Sequence, residues 1–380
     1  MQTFQEFFVP LRQYNDVMMK LETWVCSYWH WLLTALFAVA VFCFWLFALP
    51  HLMLAREQME LFLWNTDYLT ERLAIPGGLS QYLGEFIVQF FLNPVYGACW
   101  YALLFVAIQL LTWRLFKKTI QTTKTTRIIS AFIYLLSFVP AICFCNLWTN
   151  MNIPMTLTVG FLLILMLLNL LLPFKMAGRI IGLLVLISVG YWLIGNDCNW
   201  ESDKVGTYEE MEYDMLIRQQ KWDKIVAKFQ QKSSELVSIQ NVARLAARYR
   251  GQINQQELMI GLMLSKQSLS SISSAFMTSE VAMQIGMVNV AQRSAFEAME
   301  AIPNYNKSAR ALRRLVETNL VTGQYEVALK YISILEETTF YRGWARKMKP
   351  LAEHPETIKD NPVYYRLKEV YDNGEDMFFY

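Results

Sequence analysis

Long apolar runs alternate with polar segments through the first half of the chain. Five of them approach the roughly 20 residues that a helix needs to cross a bilayer, and they lie at about 29–49, 96–116, 128–147, 154–174 and 180–194. The fifth run is the shortest, and it would cross only with flanking residues or a locally thinner bilayer. Residues 1–28 carry apolar side chains at helical spacing and predict an interfacial helix on the cytoplasmic side. The pattern therefore predicts an all-α chain that begins with a transmembrane helix bundle of about five spans over residues 29–195.

Basic residues in the short loops predict the orientation of these spans. Two loops of the same parity are basic, and they contain Lys117, Lys118, Lys124, Arg127, Lys175 and Arg179. Because Lys and Arg accumulate on the cytoplasmic side of a membrane, the N-terminus is expected in the cytoplasm. Residues 196–380 are then expected in the periplasm, outside a bacterial inner membrane. If the fifth run does not cross, the same residues lie in the cytoplasm.

The connection between the first two spans, residues 50–94, is long and rich in aromatic residues. Its pattern predicts two interfacial helices, over Arg56 to Leu73 and Leu79 to Phe91. The sequence Pro76-Gly77-Gly78 separates them, because glycine accepts a positive φ without steric cost. Loops of this length are usually functional or disordered, and this one is too apolar for disorder.

Several titratable side chains of this loop are candidates for chemistry. The carboxylates are Glu57, Glu60, Asp67, Glu71 and Glu85. Asp67 and Glu71 are four residues apart and share a helix face, so they could hold a divalent cation or act as a general base on a lipid head group. The alternative is that they form the wet face of an amphipathic helix. His51, next to the first span, is expected at the membrane interface.

The second half predicts a helical repeat over residues 196–380. Four aligned segments begin at Gln220, Gly251, Gly286 and Gly323, which are 31, 35 and 37 residues apart. This spacing is close to the tetratricopeptide period, in which pairs of helices stack into a solenoid. The concave face of such a solenoid usually binds other chains. The candidate binding residues on it are Arg310, Arg313, Arg314, Asn319 and Tyr325, although an arginine cluster on a helix can equally be a solvated face.

Composition and charge exclude several classes of function. Only 17% of the residues are charged, and the net charge of +2 provides no basic stripe for a nucleic acid. Three histidines, far apart in the chain, and a single Cys143-Phe-Cys145 pair do not make up a metal site. The predicted spans contain few polar groups, which argues against an ion-coupled transporter. No cofactor is expected.

Two longer stretches carry a resemblance to a known family. PGGLSQYLGEFIVQFF (76–91) and SAFEAMEAIPNYNKSARALRRLVETNLVTGQYEVALKYI (294–332) resemble an uncharacterised family of bacterial multi-pass membrane proteins, classified as a domain of unknown function. The resemblance implies an envelope protein with an outer helical-repeat portion and implies no activity. Its usual members are longer than this chain.

The topology alone is also similar to that of membrane-embedded glycosyltransferases that use polyprenyl-phosphate sugars. In those enzymes an acidic residue of the first outer loop is catalytic, which would assign that role here to Asp67, Glu71 or Glu85. The sequence thus leaves two interpretations. The first is a membrane-anchored scaffold whose repeats bind envelope proteins. The alternative is a shortened or inactive relative of a transferase that uses a lipid-linked sugar.

Overall fold

The computed structural model describes residues 28–120, 127–151, 154–171, 205–265, 270–303 and 306–374. All regular secondary structure in these ranges is helical. The helices of the first half are α1 Tyr28–Ala48, α2 Pro50–Glu57, α3 Thr66–Leu73, α4 Gly78–Val88, α5 Pro94–Ile120, α6 Arg127–Leu136, α7 Val139–Leu147 and α8 Met155–Leu171. The interfacial helix expected in residues 1–28 falls almost wholly outside the described residues, and the fifth span lies outside them.

Three segments of the first half are long and apolar enough to cross a membrane: Tyr28–Ala48, Pro94–Lys117 and Ser130–Leu147. The apolar part of α8, Met155–Leu170, is shorter. The third segment is two helices, because a turn at Ser137 and Phe138 separates α6 from α7 and Pro140 lies in the first turn of α7. Proline at that position has no N–H to leave unpaired. Three of the predicted spans therefore correspond to helices of spanning length, and the fourth to a shorter apolar helix.

The first predicted helix of the long loop is wrong. The structure ends α2 at Glu57 and begins α3 only at Thr66. Asn65 caps α3, its side chain accepting a hydrogen bond from the Tyr68 N–H at 2.6 Å. A helical period in the sequence does not show such an interruption, because the non-helical residues are held by contacts with distant parts of the chain. The second predicted helix is confirmed as α4, continued by a short 3₁₀ turn at Gln89–Leu92.

The second half consists of paired helices. They are α9 Tyr208–Arg218, α10 Trp222–Gln231, α11 Val237–Tyr249, α12 Gln255–Leu264, α13 Ile272–Ile285, α14 Val288–Glu300, α15 Ala309–Val321, α16 Tyr325–Glu336, α17 Arg342–Glu353 and α18 Pro362–Asp372. A 3₁₀ turn, Pro355–Asp360, links the last two. The four aligned segments of the sequence begin in the turns between the two helices of the first four pairs.

The four aligned positions have the same backbone conformation. Gln220, Gly251, Gly286 and Gly323 all have positive φ, from 52° to 93°. In each case the next residue donates its N–H to a carbonyl five residues earlier: Lys221 to Leu216, Gln252 to Ala247, Met287 to Ala282 and Gln324 to Asn319. This is the Schellman ending of a helix, which requires a left-handed residue. The repeat seen in the sequence is thus a repeat of one turn geometry.

The two halves share hydrophobic cores. Phe91, Tyr101 and Trp148 of the first half belong to the same buried cluster as Phe276 and Met211 of the repeats. Residues of the long loop lie in a second cluster, together with α13 to α18 of the repeats. The long loop therefore packs against the paired helices of the second half instead of projecting alone.

Candidate functional site

The paired helices of the second half surround an open cavity of about 910 Å³, lined by residues of α9, α11, α12, α13, α15, α17 and α18. Six arginines and two glutamates are among its lining residues: Arg218, Arg248, Arg310, Arg313, Arg314, Arg366, Glu280 and Glu317. The volume is within the range of ligand pockets in proteins. A ligand of this cavity would have to complement its excess of positive charge.

Arg310 is the most buried of these arginines. Its Nη1 and Nη2 atoms donate to the two carboxylate oxygens of Asp214 at 2.7 and 2.9 Å, and Nη1 also donates to Gln58 Oε1 at 2.6 Å. The guanidinium carbon lies 4.5 Å from the ring centre of Phe276. The planar two-point pairing with Asp214 fixes the orientation of the guanidinium. Through Asp214 and Gln58, Arg310 joins α15 to α9 and to the long loop, and it also lines the cavity.

Arg314 and Arg313 form an ion-pair network with the two cavity glutamates. Arg314 donates to Glu280 at 2.6 Å and to Glu317 at 2.7 Å, and Arg313 donates to Glu317 at 3.2 Å. Burial raises the pKa of Glu280, but Arg314 and Arg310 outweigh that effect and hold the pKa below its usual value. Both cavity glutamates are paired with these arginines. Neither is left to repel an anionic ligand strongly.

Arg218 connects the cavity to the long loop. Its Nη2 donates to Glu57 at 3.2 Å and to the Tyr341 hydroxyl at 3.0 Å, while Tyr341 donates to Glu57 at 2.9 Å. The Nη1 atom of Arg218 is buried and has no hydrogen-bond partner among the described residues. An unpaired buried donor is costly. An acceptor entering the cavity would satisfy it.

Two arginines at the rim carry charge that no carboxylate of the described chain pairs. Arg248 donates to the neutral side chain of Gln255 at 3.4 Å, and Arg366 of α18 is exposed. Tyr249 lies between α10 and the rim: its ring stacks on Trp222 at 4.4 Å and its hydroxyl donates to Gln284 at 2.6 Å. The rim therefore offers guanidinium donors, which suit carboxylate groups, next to an aromatic ring.

The predicted binding residues occupy different places. Arg310, Arg313 and Arg314 line the cavity. Asn319 is buried, its amide donating to the Leu315 carbonyl at 2.6 Å and accepting from Gln292 at 3.3 Å. Tyr325 packs against the core of the last repeats. Neither Asn319 nor Tyr325 is among the residues that line the cavity, so the structure brings together three of the five.

The three predicted catalytic acids do not lie together in one site. Asp67 and Glu71 are exposed on α3. Glu85 is buried on α4, where it accepts hydrogen bonds from Tyr68, from Arg72 at 2.9 Å and from Gln81 at 3.0 Å. Neither Asp67 nor Glu71 is among its contacts within the described chain. The wet-face interpretation of Asp67 and Glu71 accounts for their exposure.

Sequence reasoning missed Arg218, Arg248 and Arg366 as cavity residues and Glu57 as the partner of Arg218. Helical spacing shows which side chains share a face of one helix, but the concave side depends on how successive pairs turn. His51, which the sequence predicts at the membrane interface, is buried against Tyr208 of α9, with the ring centres 6.1 Å apart. Burial lowers the pKa of His51.

Glu60 gives the loop a pH-dependent contribution to stability. Burial raises its pKa from 4.5 to about 7, with Arg56 opposing the shift and Glu85 adding to it. A folded-state pKa above the unfolded value means that stabilisation is complete below pH 4.5 and is lost as the pH rises through about 7. Glu60→Gln should therefore unfold at a higher temperature than the parent chain above this range, and its unfolding temperature should vary less with pH.

Thermal unfolding of the full chain in detergent, followed by circular dichroism across this pH range, measures the effect. Glu71→Gln removes an exposed carboxylate of the same loop and is the matched control. Parallel pH curves for the parent and Glu60→Gln would contradict the assignment.

Comparison with known proteins identifies the family and no closer relative. No curated protein matches the chain, and no solved structure matches it. A family model described as a family of unknown function, DUF6057, matches residues 26–200 and 198–380. These ranges cover both the apolar half and the repeats, which confirms the resemblance to an uncharacterised family. The chain belongs to DUF6057, a family of unknown function.

Proposed function

We propose that this protein is a membrane-anchored helical-repeat scaffold that binds an acidic segment of a partner protein in its arginine-lined cavity. The repeat domain is tetratricopeptide-like and lies on the periplasmic side of a bacterial inner membrane. The single observation that carries the proposal is the cavity of about 910 Å³, in which six arginines face two glutamates that are already paired.

The membrane anchor is supported by the surface of the apolar helices. Large apolar side chains are exposed along them, and they include Trp31, Leu36, Val39, Phe47, Leu103, Phe132, Ile142 and Ile164. A surface of this kind is normally covered by lipid or by another protein. The helices are also long enough to span a bilayer in three cases. The basic residues after α5 support an outer position for the repeats.

The class of ligand is supported by unsatisfied donors. Arg218 Nη1 is buried without a partner in the described residues, and Arg248 and Arg366 lie at the rim. Guanidinium groups bind carboxylates through two parallel hydrogen bonds, and solenoids commonly hold peptide segments on their concave side. A peptide with two or more Asp or Glu side chains fits both the volume and the charge.

The test is binding of a fluorescein-labelled peptide rich in glutamate to the full chain in detergent, measured by fluorescence anisotropy. The glutamate peptide should bind, and added salt should weaken it because exposed charges are screened. The double variant Arg248→Gln with Arg366→Gln should weaken binding by about tenfold or more, since each charge-assisted hydrogen bond contributes about 1.5–3 kcal/mol.

Two controls make this result specific. The same peptide with glutamine in place of glutamate should not bind. Arg250→Gln removes an arginine next to Tyr249 that pairs with Asp223 at 2.8 Å outside the cavity, and it should leave binding unchanged. Equal binding of the glutamine peptide, or an equal loss in Arg250→Gln, would refute the proposed cavity site.

A further inference from the structure

The hairpin of α3 and α4 lies along the apolar helix α8. A Cβ added to Gly84 would be 3.1 Å from the backbone nitrogen of Thr156, so the two backbones are in close contact there. A Cβ added to Gly160 would be 3.6 Å from the hydroxyl of Ser80. Since Gly84 pairs with Thr156 and Ser80 with Gly160, the two helices run antiparallel.

Small residues four apart on both helices produce this close approach. They are Ser80 and Gly84 on α4 and Thr156 and Gly160 on α8. Small residues at this spacing are the usual packing motif of helices within a bilayer, where apolar burial alone provides no driving force. The pairing of α4 with α8 therefore has the form of a membrane-helix contact.

The direction of the packing places the tip of the hairpin deep along α8. The repeats lie near the start of α8, because the Tyr208 hydroxyl donates to the Thr149 carbonyl at 2.6 Å. From Gly84 to Ser80, α4 passes from the first residues of α8 to Gly160, about 6 Å farther from the repeats at 1.5 Å per residue. The turn at residues 74–77 extends beyond that point. The tip thus points away from the repeat domain, along the apolar part of α8.

The tip itself has the composition of a lipid-facing surface. Residues 73–84 contain no charged side chain. Leu73, Ile75 and Leu79 are each about half exposed, at 51%, 47% and 51%. Three exposed large apolar residues on one turn form a patch that water covers poorly. Acyl chains next to α8 would cover it.

The nearest charge is directed back from the tip. The carbonyl of Arg72 lies so close to Gly78 that a Cβ there would collide with it, which places the Arg72 backbone beside the turn. Its guanidinium nevertheless reaches Glu85, seven residues farther along α4, with Nε donating to Oε2 at 2.9 Å. Long basic side chains near a membrane interface extend toward the polar side in this way. Glu85 neutralises the charge.

We propose that residues 73–79 insert among the acyl chains of the outer leaflet beside α8, as a re-entrant helical hairpin. The hairpin is a second contact with the bilayer, separate from the spanning helices. The inference rests on the membrane placement in the proposed function, because α8 must itself be surrounded by lipid. It does not depend on the ligand of the cavity.

The test uses the full chain with its six cysteines replaced by serine or alanine, reconstituted in phosphatidylcholine vesicles. Leu79→Cys, Asp67→Cys and Ile164→Cys each receive the fluorophore NBD. Doxyl-labelled phosphatidylcholine should quench NBD at position 79, and its emission should be shifted to the blue. Iodide in the buffer should quench NBD at position 67, which is exposed at the other end of α3.

Ile164, an exposed residue in the middle of α8, distinguishes a failure of the hairpin insertion from a failure of the membrane placement of α8. Quenching by iodide at both 79 and 164 would refute membrane embedding of α8 and the hairpin together. Quenching by doxyl lipid at 164 but by iodide at 79 would refute the hairpin alone. If the cysteine-free chain does not fold, p-benzoylphenylalanine at position 79 of the native-cysteine chain should cross-link to phosphatidylcholine, and failure to do so refutes the insertion.

Discussion

Asp214→Ala is expected to lower the free energy of unfolding by about 3–5 kcal/mol. Asp214 is the carboxylate partner of Arg310, and both side chains are more than nine-tenths buried. Replacing the aspartate leaves a buried guanidinium whose remaining hydrogen-bond partner among the described residues is Gln58 Oε1, and a buried charge that loses its two-point carboxylate partner costs far more than one exposed contact. The measurement is chemical or thermal unfolding of the full chain in detergent, followed by circular dichroism.

The exposed pair of Asp223 with Arg250 is the matched control, because it has a similar length of 2.8 Å but lies in water. Asp223→Ala should cost about 0–1 kcal/mol. The double variant Asp214→Leu with Arg310→Met should recover much of the loss, since it removes both buried charges. A loss in Asp214→Ala no larger than that in Asp223→Ala would contradict the assigned role of the pair.

Gly84→Leu should destabilise the first half by about 1–3 kcal/mol or more through overpacking. The obstruction is backbone, since Thr156 N and Met155 C lie 3.1 and 3.3 Å from the added Cβ, so the new side chain cannot be accommodated by rotating a neighbour. We expect α4 to separate from α8. The unfolding temperature in detergent should fall, and NBD on the Leu79→Cys variant should become more accessible to iodide.

Gly343→Leu tests the same substitution where there is room. Gly343 is in the first turn of α17 and has no heavy atom within 4 Å of an added Cβ. A residue other than glycine favours the helix there by about 0.5–1 kcal/mol. The variant should therefore be neutral or slightly more stable. Equal losses in Gly84→Leu and Gly343→Leu would argue against close packing of α4 on α8.

The contacts of the long loop explain why it is ordered. Glu57 binds Arg218 and Tyr341, Gln58 binds Arg310, and the Trp64 N–H donates to the Glu337 carbonyl at 2.9 Å. Because the loop supplies hydrogen-bond partners for buried arginines, it contributes to the stability of the second half. Two of the arginines that line the cavity, Arg218 and Arg310, are therefore held by residues of the long loop.

The sequence by itself determined the local features of this protein. Apolar run length located α1, α5 and the α6–α7 segment, because a spanning helix must satisfy its own backbone. The repeat alignment located four turns, since a left-handed residue and the helix end before it are set by neighbouring residues. Pro76-Gly77-Gly78 marked the turn of the hairpin for the same reason.

The tertiary structure decided which distant residues these local elements contact. The end of α2 at Glu57, the pairing of Asp214 with Arg310 and the burial of His51 depend on contacts between residues far apart in the chain, and helical periodicity contains no information about them. The same holds for the cavity, which exists only because successive helix pairs turn their arginines toward one another. It also holds for the position of the hairpin along α8, which follows from the packing of Ser80 and Gly84 against that helix.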